Sequence, residues 1–372
     1  MRLKRTLTVF LATLGAGMVF AAARAQQTQT PVAPKPDKPE PQSPQGTIRV
    51  RVALVSVPVV VIGPSGESVV DLQKPDFHIL DNGAEQAIES FDIGGEKIST
   101  VLVFETSSHV ATLLPAIQKS AIVFTQTVVG PSGEAAVLSY DNSVNTLLPF
   151  STDNDKIEKT IANLKPGDSG TQLYNALASA VAMLRGRPAE RRRAIVVLGE
   201  ETDRGSEQKL GRVLRDAQLA NVVIYSVGLS PTSAALRAPP LQATTPQGTP
   251  PGIMSGSSMP GTVQTPTSQQ QYSGNIDLLG LSEWAVRNAS AVVKERALQV
   301  AATATGGTYQ ASFKEGNIDK VVDAIGGEMN SQYILSYHPT TGDAPGYHTI
   351  KVTVSHPGMK VRTRPGYFLE TK

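Results

Sequence analysis

Residues 101–117 read VLVFETSSHVATLLPAI. Four apolar residues stop abruptly at Glu105-Thr106-Ser107-Ser108-His109, and apolar spacing of helical period follows. A short apolar run of this kind suits a strand buried on both faces, and the polar cluster then falls just beyond its carboxyl end. The same pattern recurs along the chain. Apolar runs at 101–104, 135–139, 194–198 and 222–228 alternate with helical candidates at 110–128, 153–164, 171–186 and 206–220. Ser206 is placed to cap the last of these, with Glu207 in its first turn. Helical spacing resumes over 276–304, GGTYQAS reads as a strand, and NIDKVVDAIGGEMNS returns to helix. Alternation of strand and helix predicts an α/β fold with a mostly parallel central sheet covered by helices on both faces.

The flanks read differently. Residues 47–96 show period-two alternation at Ile48, Val50 and Val52, and the turn strings GPSG and DNG cut the segment into strands, a small β-rich region. GPSGE occurs at 63–67 and again at 130–134, each time between apolar runs, and reads as two similar turns. Residues 332–372 alternate again between Gly/Pro turns and read as antiparallel strands. They can build onto the amino-terminal β-region or extend the α/β sheet, and the pattern does not choose. The α/β body thus spans 97–331, interrupted at 230–274 by a tract of Pro, Thr, Ser, Gln and Gly too long for an ordinary connection.

Residues 1–25 carry Arg2, Lys4 and Arg5 before an apolar stretch, then Ala23-Arg24-Ala25, the pattern of a cleaved signal peptide. Residues 26–46 hold six prolines and one bulky apolar residue, Val32, and read as a disordered linker. The expected location is therefore outside the cytoplasm: periplasm, cell envelope or medium. No transmembrane segment is expected after cleavage. Losing residues 1–25 removes four basic and no acidic residues, turning a formal charge of +2 negative. Such a balance excludes nucleic acid as an expected partner. The chain has no cysteine, so no disulfide contributes to its stability.

In an open α/β sheet ligands bind beyond the carboxyl ends of the strands. Three polar clusters fall there: Glu105 to His109, Thr171 in GDSGTQLYNAL, and Gly199-Glu200-Glu201-Thr202-Asp203 in AIVVLGEETDRGS. Oxygen-bearing side chains converging from three loops suit a hard cation.

With those clusters in place, the chain resembles a von Willebrand factor A domain, specifically the exported bacterial von Willebrand A-related proteins. The likeness extends through the PVVVIGPSGESVVDLQKPDFHILDNGAEQAIESF preface and the YILSYHP and GYHTIKVTV ending. The resemblance implies a metal-ion-dependent adhesion site, Asp-x-Ser-x-Ser after the first strand with a Thr and an Asp from the next two loops. Carried over, its positions are Glu105, Ser107, His109, Thr171 and Glu200. Both aspartates have become glutamates and the second serine a histidine. The site is a degenerate one, because longer carboxylates intrude on the water positions of an octahedral ion. Three readings stand beside one another. No cofactor binds and a protonated His109 sits between Glu105 and Glu200; magnesium or manganese binds with rearranged waters; or His109 joins a transition-metal site.

Other chemistry has less support. Ser107 or Ser108 with His109 as a hydrolytic pair lacks a positioned triad and a nucleophile elbow. No glycine-rich phosphate loop is present. His78 reads as a half-exposed strand residue, and His338, His348 and His356 lie at spacings set by strand alternation. Arg191-Arg192-Arg193 reads as a solvated loop, and Trp284 as core. The expected function is therefore non-enzymatic: protein–protein interaction or adhesion with a partner in the envelope or extracellular space. A structural scaffold using the β-regions and the insertion is the alternative.

Overall fold

A computed structural model describes residues 54–94, 97–229, 277–293, 295–312, 317–340 and 345–369. The leader, the proline-rich linker and the long insertion read from the sequence lie outside the described residues.

The central sheet has six strands: β5 (Ile98–Glu105), β6 (Glu134–Tyr140), β7 (Val144–Ser151), β8 (Arg192–Gly199), β9 (Val222–Leu229) and β10 (Tyr309–Ser312), in spatial order β10-β9-β8-β5-β6-β7. All neighbours are parallel except the β6–β7 pair. Alternate residues of each central strand face opposite helical layers. Val101 and Val103 belong to one buried cluster, Leu102 and Phe104 to the other. Burial on both faces explains the unbroken apolar runs in these strands.

Seven helices are paired with this sheet in the described chain: α1 (Leu114–Lys119), α2 (Asn154–Ala162), α3 (Leu173–Arg185), α4 (Leu210–Leu219), α5 (Leu278–Arg287), α6 (Ala297–Thr305) and α7 (Ile318–Ser331). The single helix expected over 110–128 is broken. After α1 the Ser120 hydroxyl donates to the Ala116 carbonyl at 2.9 Å, and a turn at Ala121–Val123 runs into a π-helical turn at Phe124–Val129. The helical stretch expected over 276–304 is likewise two helices, the first ending at Arg287 and the second beginning at Ala297. Strand β7 has no counterpart in the sequence reading. It is an edge strand with no fully buried side chain, and Pro149 interrupts its apolar residues.

The two terminal segments form one β-region. Strands β1 (Val55–Ile62), β4 (Ser90–Ile93), β11 (Tyr333–Tyr337) and β13 (Lys360–Thr363) make a sheet ordered β13-β1-β11-β4. Strands β2 (Phe77–Asp81), β3 (Ala84–Gln86), β12 (Gly346–Val354) and β14 (Gly366–Leu369) make a second, ordered β14-β12-β2-β3. The carboxy-terminal strands therefore join the amino-terminal ones and do not extend the central sheet. The two sheets share a core of Val57, Val59, Ile79, Leu335 and Val352, with the Phe77 ring tilted against that of Tyr333 at 4.9 Å. Two arginine–aromatic contacts tie the second sheet to the α/β body: Arg215 lies 3.9 Å from the Phe368 ring and Arg287 4.8 Å from that of Tyr347. Among the described residues no helix is long and apolar enough to cross a membrane.

Candidate functional site

Strand register brings the first cluster to the sheet rim. Glu105 is the last residue of β5 and lies opposite Tyr140, the last of β6, while Gly199 ends β8 on the other side. The loops leaving these strands are tied together by backbone. Gly167 N–H donates to the Thr106 carbonyl at 2.7 Å, and Ser108 N–H donates to that of Asp168 at 2.9 Å. Thr171 and Arg204 form an antiparallel bridge, with Arg204 N–H donating to the Thr171 carbonyl at 2.8 Å. Gly199 is forced by crowding, since a Cβ there would lie 2.7 Å from Glu105 Oε2.

Glu105 is completely buried, and both of its oxygens are in use. The Ser107 hydroxyl donates to Oε1 at 2.5 Å. Oε2 accepts the Glu200 backbone N–H at 2.6 Å and the Tyr140 hydroxyl at 3.3 Å. Burial raises the Glu105 pKa, and the Glu200 charge adds to this, against the hydrogen bonds from Ser107, Glu200 N–H and Tyr140. Burial, with the charge of Glu105 behind it, also pushes the Tyr140 phenol well above its ordinary value.

His109 does not sit between the two glutamates. Its Nδ1 is 3.3 Å from Glu200 Oε2, and both side chains are partly exposed. Glu105 gains its donors from Ser107, Tyr140 and the Glu200 backbone, so the imidazole is left to the side chain of Glu200. Thr171 is fully buried, and its hydroxyl has no hydrogen-bond partner. Among the described residues no three His, Asp or Glu side chains are grouped as a metal ion would need.

Asp203, quoted above without a role, and Ser206, read above as a helix cap, organise this rim. Asp203 Oδ1 accepts the Tyr174 N–H at 3.0 Å and the Ser206 hydroxyl at 2.6 Å. The Ser206 oxygen in turn accepts the Asn175 N–H at 3.1 Å. Ser206 therefore does not cap the helix that follows it. That helix begins at Leu210 after Lys209, which makes no side-chain cap, and Ser206 serves the first turn of α3 instead. Tyr140 was legible only as the residue closing an apolar run at the carboxyl end of a strand.

Residues 100–201 match the von Willebrand factor type A domain, a stretch that holds Glu105, Ser107, His109, Thr171 and Glu200. No curated protein matches the chain. A solved aerotolerance-related membrane protein from Bacteroides fragilis NCTC 9343 is similar at 15% identity, covering 62% of this chain and 100% of its own, with a TM-score of 0.38. The conserved hypothetical protein BatB from Bacteroides thetaiotaomicron is similar at 13% identity, covering 62% and 98%, with a TM-score of 0.37. The VWA domain of SpRpn10 is similar at 18% identity, covering 37% and 78%, with a TM-score of 0.30. The chain therefore carries a von Willebrand factor type A domain match over residues 100–201, set in the mostly parallel helix-covered sheet.

Proposed function

We propose that this chain is an exported, non-enzymatic interaction protein. Its partner-binding face is the rim formed by the loops after β5 and β8 and before α3, and that face works through protein groups without a bound cation. The observation that carries this reading is the Glu200 N–H donated to Glu105 Oε2 at 2.6 Å. It joins the first and third loops directly, where a bridging ion would otherwise be needed.

The residues do not fit a hard divalent cation. Magnesium and manganese want charged oxygen donors with room for waters. Both oxygens of Glu105 already have protein donors, and its burial favours the neutral acid. Glu200 is turned to His109, and no third carboxylate or imidazole joins them among the described residues. The same contacts speak against hydrolysis: the Ser107 hydroxyl is directed to Glu105 and His109 to Glu200, so nucleophile and base are not paired. Export is supported by the basic, apolar and small-residue pattern of residues 1–25.

A pull-down from envelope extract tests the reading, run with and without chelator and against a variant changed at Glu105, Thr171 and Glu200. The expected result is a partner retained equally with and without chelator and lost by the variant. Chelator-sensitive capture refutes the cation-independent face. Capture unchanged in the variant moves the contact elsewhere on the molecule.

A further inference from the structure

The end of the central sheet opposite that rim is also concave. A cavity of about 430 Å³ lies between the starts of β5, β8 and β9 and the face of β1 and β11 that carries Ser56, Pro58 and Ile334. Four arginines line it, Arg191, Arg192, Arg193 and Arg364, against two acidic residues, Asp92 and Glu190.

The four differ in how their charge is met. Arg191 is paired, with Nε 3.2 Å from Glu134. Arg192 donates to neutral oxygens, the Met329 carbonyl at 2.7 Å and Gln332 Oε1 at 3.0 Å. Arg193 donates to the carbonyls of Ala220 at 2.9 Å and Arg187 at 2.7 Å, and its Nε is buried without a partner. Gln332 is fully buried, and its Nε2 is also unpartnered.

Arg364, between β13 and β14, is only 4% exposed. Among the described residues its guanidinium has neither an ion pair nor a hydrogen-bond acceptor, and its Nε is wholly buried. Its neighbours are tyrosines: the Tyr367 ring lies 5.8 Å away, and Tyr337 and Tyr347 are also close enough to act on its charge. Asp81, the buried carboxylate of the β-region, is occupied by Tyr337, Tyr367 and His348 at 2.8, 2.8 and 3.1 Å. Burial draws the Arg364 pKa down to about 10, which leaves it charged at neutral pH. A charge taken out of water without a counter-charge costs several kcal/mol. The missing acceptors are the second observation, beside the arginine cluster, that points to a ligand.

We propose that this cavity binds a small oxyanion, a carboxylate or phosphate, with Arg364 as its main charge partner. The guanidinium presents a planar fork of N–H donors that matches two oxygens of either group. Arg192 and Arg193 add positive potential, and Pro58, Val223 and Ile334 offer an apolar wall for a short hydrocarbon body. The cavity volume falls in the range of small-molecule sites. This site is independent of the partner-binding rim at the other end of the sheet.

Calorimetric titration of the full chain tests it, with inorganic phosphate and succinate as separate probes and ionic strength held constant by sodium chloride. Saturable binding of one or both is expected, and the stronger of the two identifies the head group. The Arg364→Met variant is expected to bind about tenfold or more weakly, with an unfolding midpoint no lower than the parent's in the absence of anion. No saturable heat from either probe overturns the proposal, as does undiminished affinity in Arg364→Met. If that variant fails to fold, Arg193→Gln decides: weaker binding supports the site and unchanged affinity sinks it.

Discussion

The backbone of Glu200 and the side chain of Glu105 are bonded across the rim of the sheet, N–H to Oε2 at 2.6 Å. One residue thus holds the end of β5 to the loop that leaves β8. Because the acceptor is a buried carboxyl whose pKa is raised by desolvation, this join is sensitive to pH. The folded chain holds the Glu105 proton more tightly than the unfolded chain does. The resulting stabilisation is fully present below the ordinary carboxylate range and is lost as pH rises through the folded pKa. Glu105→Gln keeps an acceptor for Glu200 N–H and reverses the Ser107 contact, its amide donating to the hydroxyl oxygen, so its stability is expected to vary less with pH and to match or exceed the parent's at neutrality. Glu105→Asp is one methylene shorter and falls short of its partners, costing about 1–2 kcal/mol. Urea unfolding across pH checks both.

Glu134 is a buried carboxylate shared by two arginines. Arg187 grips it through Nε and a terminal nitrogen, both at 2.7 Å, while Arg191 Nε lies 3.2 Å away and the Ser99 hydroxyl donates at 2.6 Å. Removing it strands both guanidinium groups and the hydroxyl. Glu134→Ala is expected to cost about 3 kcal/mol, the lower end for a buried pair because Arg187 keeps some access to water. The urea midpoint at neutral pH measures this.

The first turn of α3 is capped by residues that follow β8. Asp203 accepts from Tyr174 N–H and Ser206 accepts from Asn175 N–H. Ser206→Ala is expected to cost about 1 kcal/mol and Asp203→Ala about 1–2 kcal/mol. The double variant should lose less than the sum, since the Ser206 hydroxyl is itself oriented by Asp203. Amide exchange at Tyr174 and Asn175, read against the global unfolding free energy, locates the effect.

Gly211 lies where α4 meets the end of α5. A Cβ there would stand 2.5 Å from the Ala285 carbonyl oxygen and closer still to that of Asn288. Both obstacles are backbone and cannot swing aside. Gly211→Ala is therefore expected to destabilise by about 1–3 kcal/mol despite alanine's better helix propensity, measured as a lowered thermal midpoint.

The central strands were legible because burial on both faces leaves a continuous apolar string, as in Val101–Phe104 and Ala194–Leu198. Edge strand β7 carries only Leu147-Leu148-Pro149-Phe150, broken by a proline that speaks against a strand, and it did not read as one. The loops that converge on Glu105 were legible from their oxygen-rich composition, but the partners were not. Sequence spacing suggested a histidine between two glutamates, whereas the acceptor is met by a backbone N–H 95 residues away, which no side-chain pattern records. Ser206 had the right chemistry for a cap and the right position in the chain. Its target was misread because the helix it serves precedes it in sequence. His348 looked like one of several scattered histidines and is in fact buried against Asp81. Arg191-Arg192-Arg193 looked like a solvated loop, and only the β-region folded over the sheet turned it into a cavity wall.

The pairing of β1 with β11 and β13 sets an order of events during synthesis. The string VSVPVVVI is made early, yet its neighbours in the sheet are made after the entire α/β domain. Until then it is a sticky apolar ribbon with open backbone on both edges. The helix-covered sheet can close first, from strands near one another in the chain, and the β-region must wait for the tail. A chain released early would leave a finished α/β domain bearing an unpaired strand, a form prone to self-association and open to proteases.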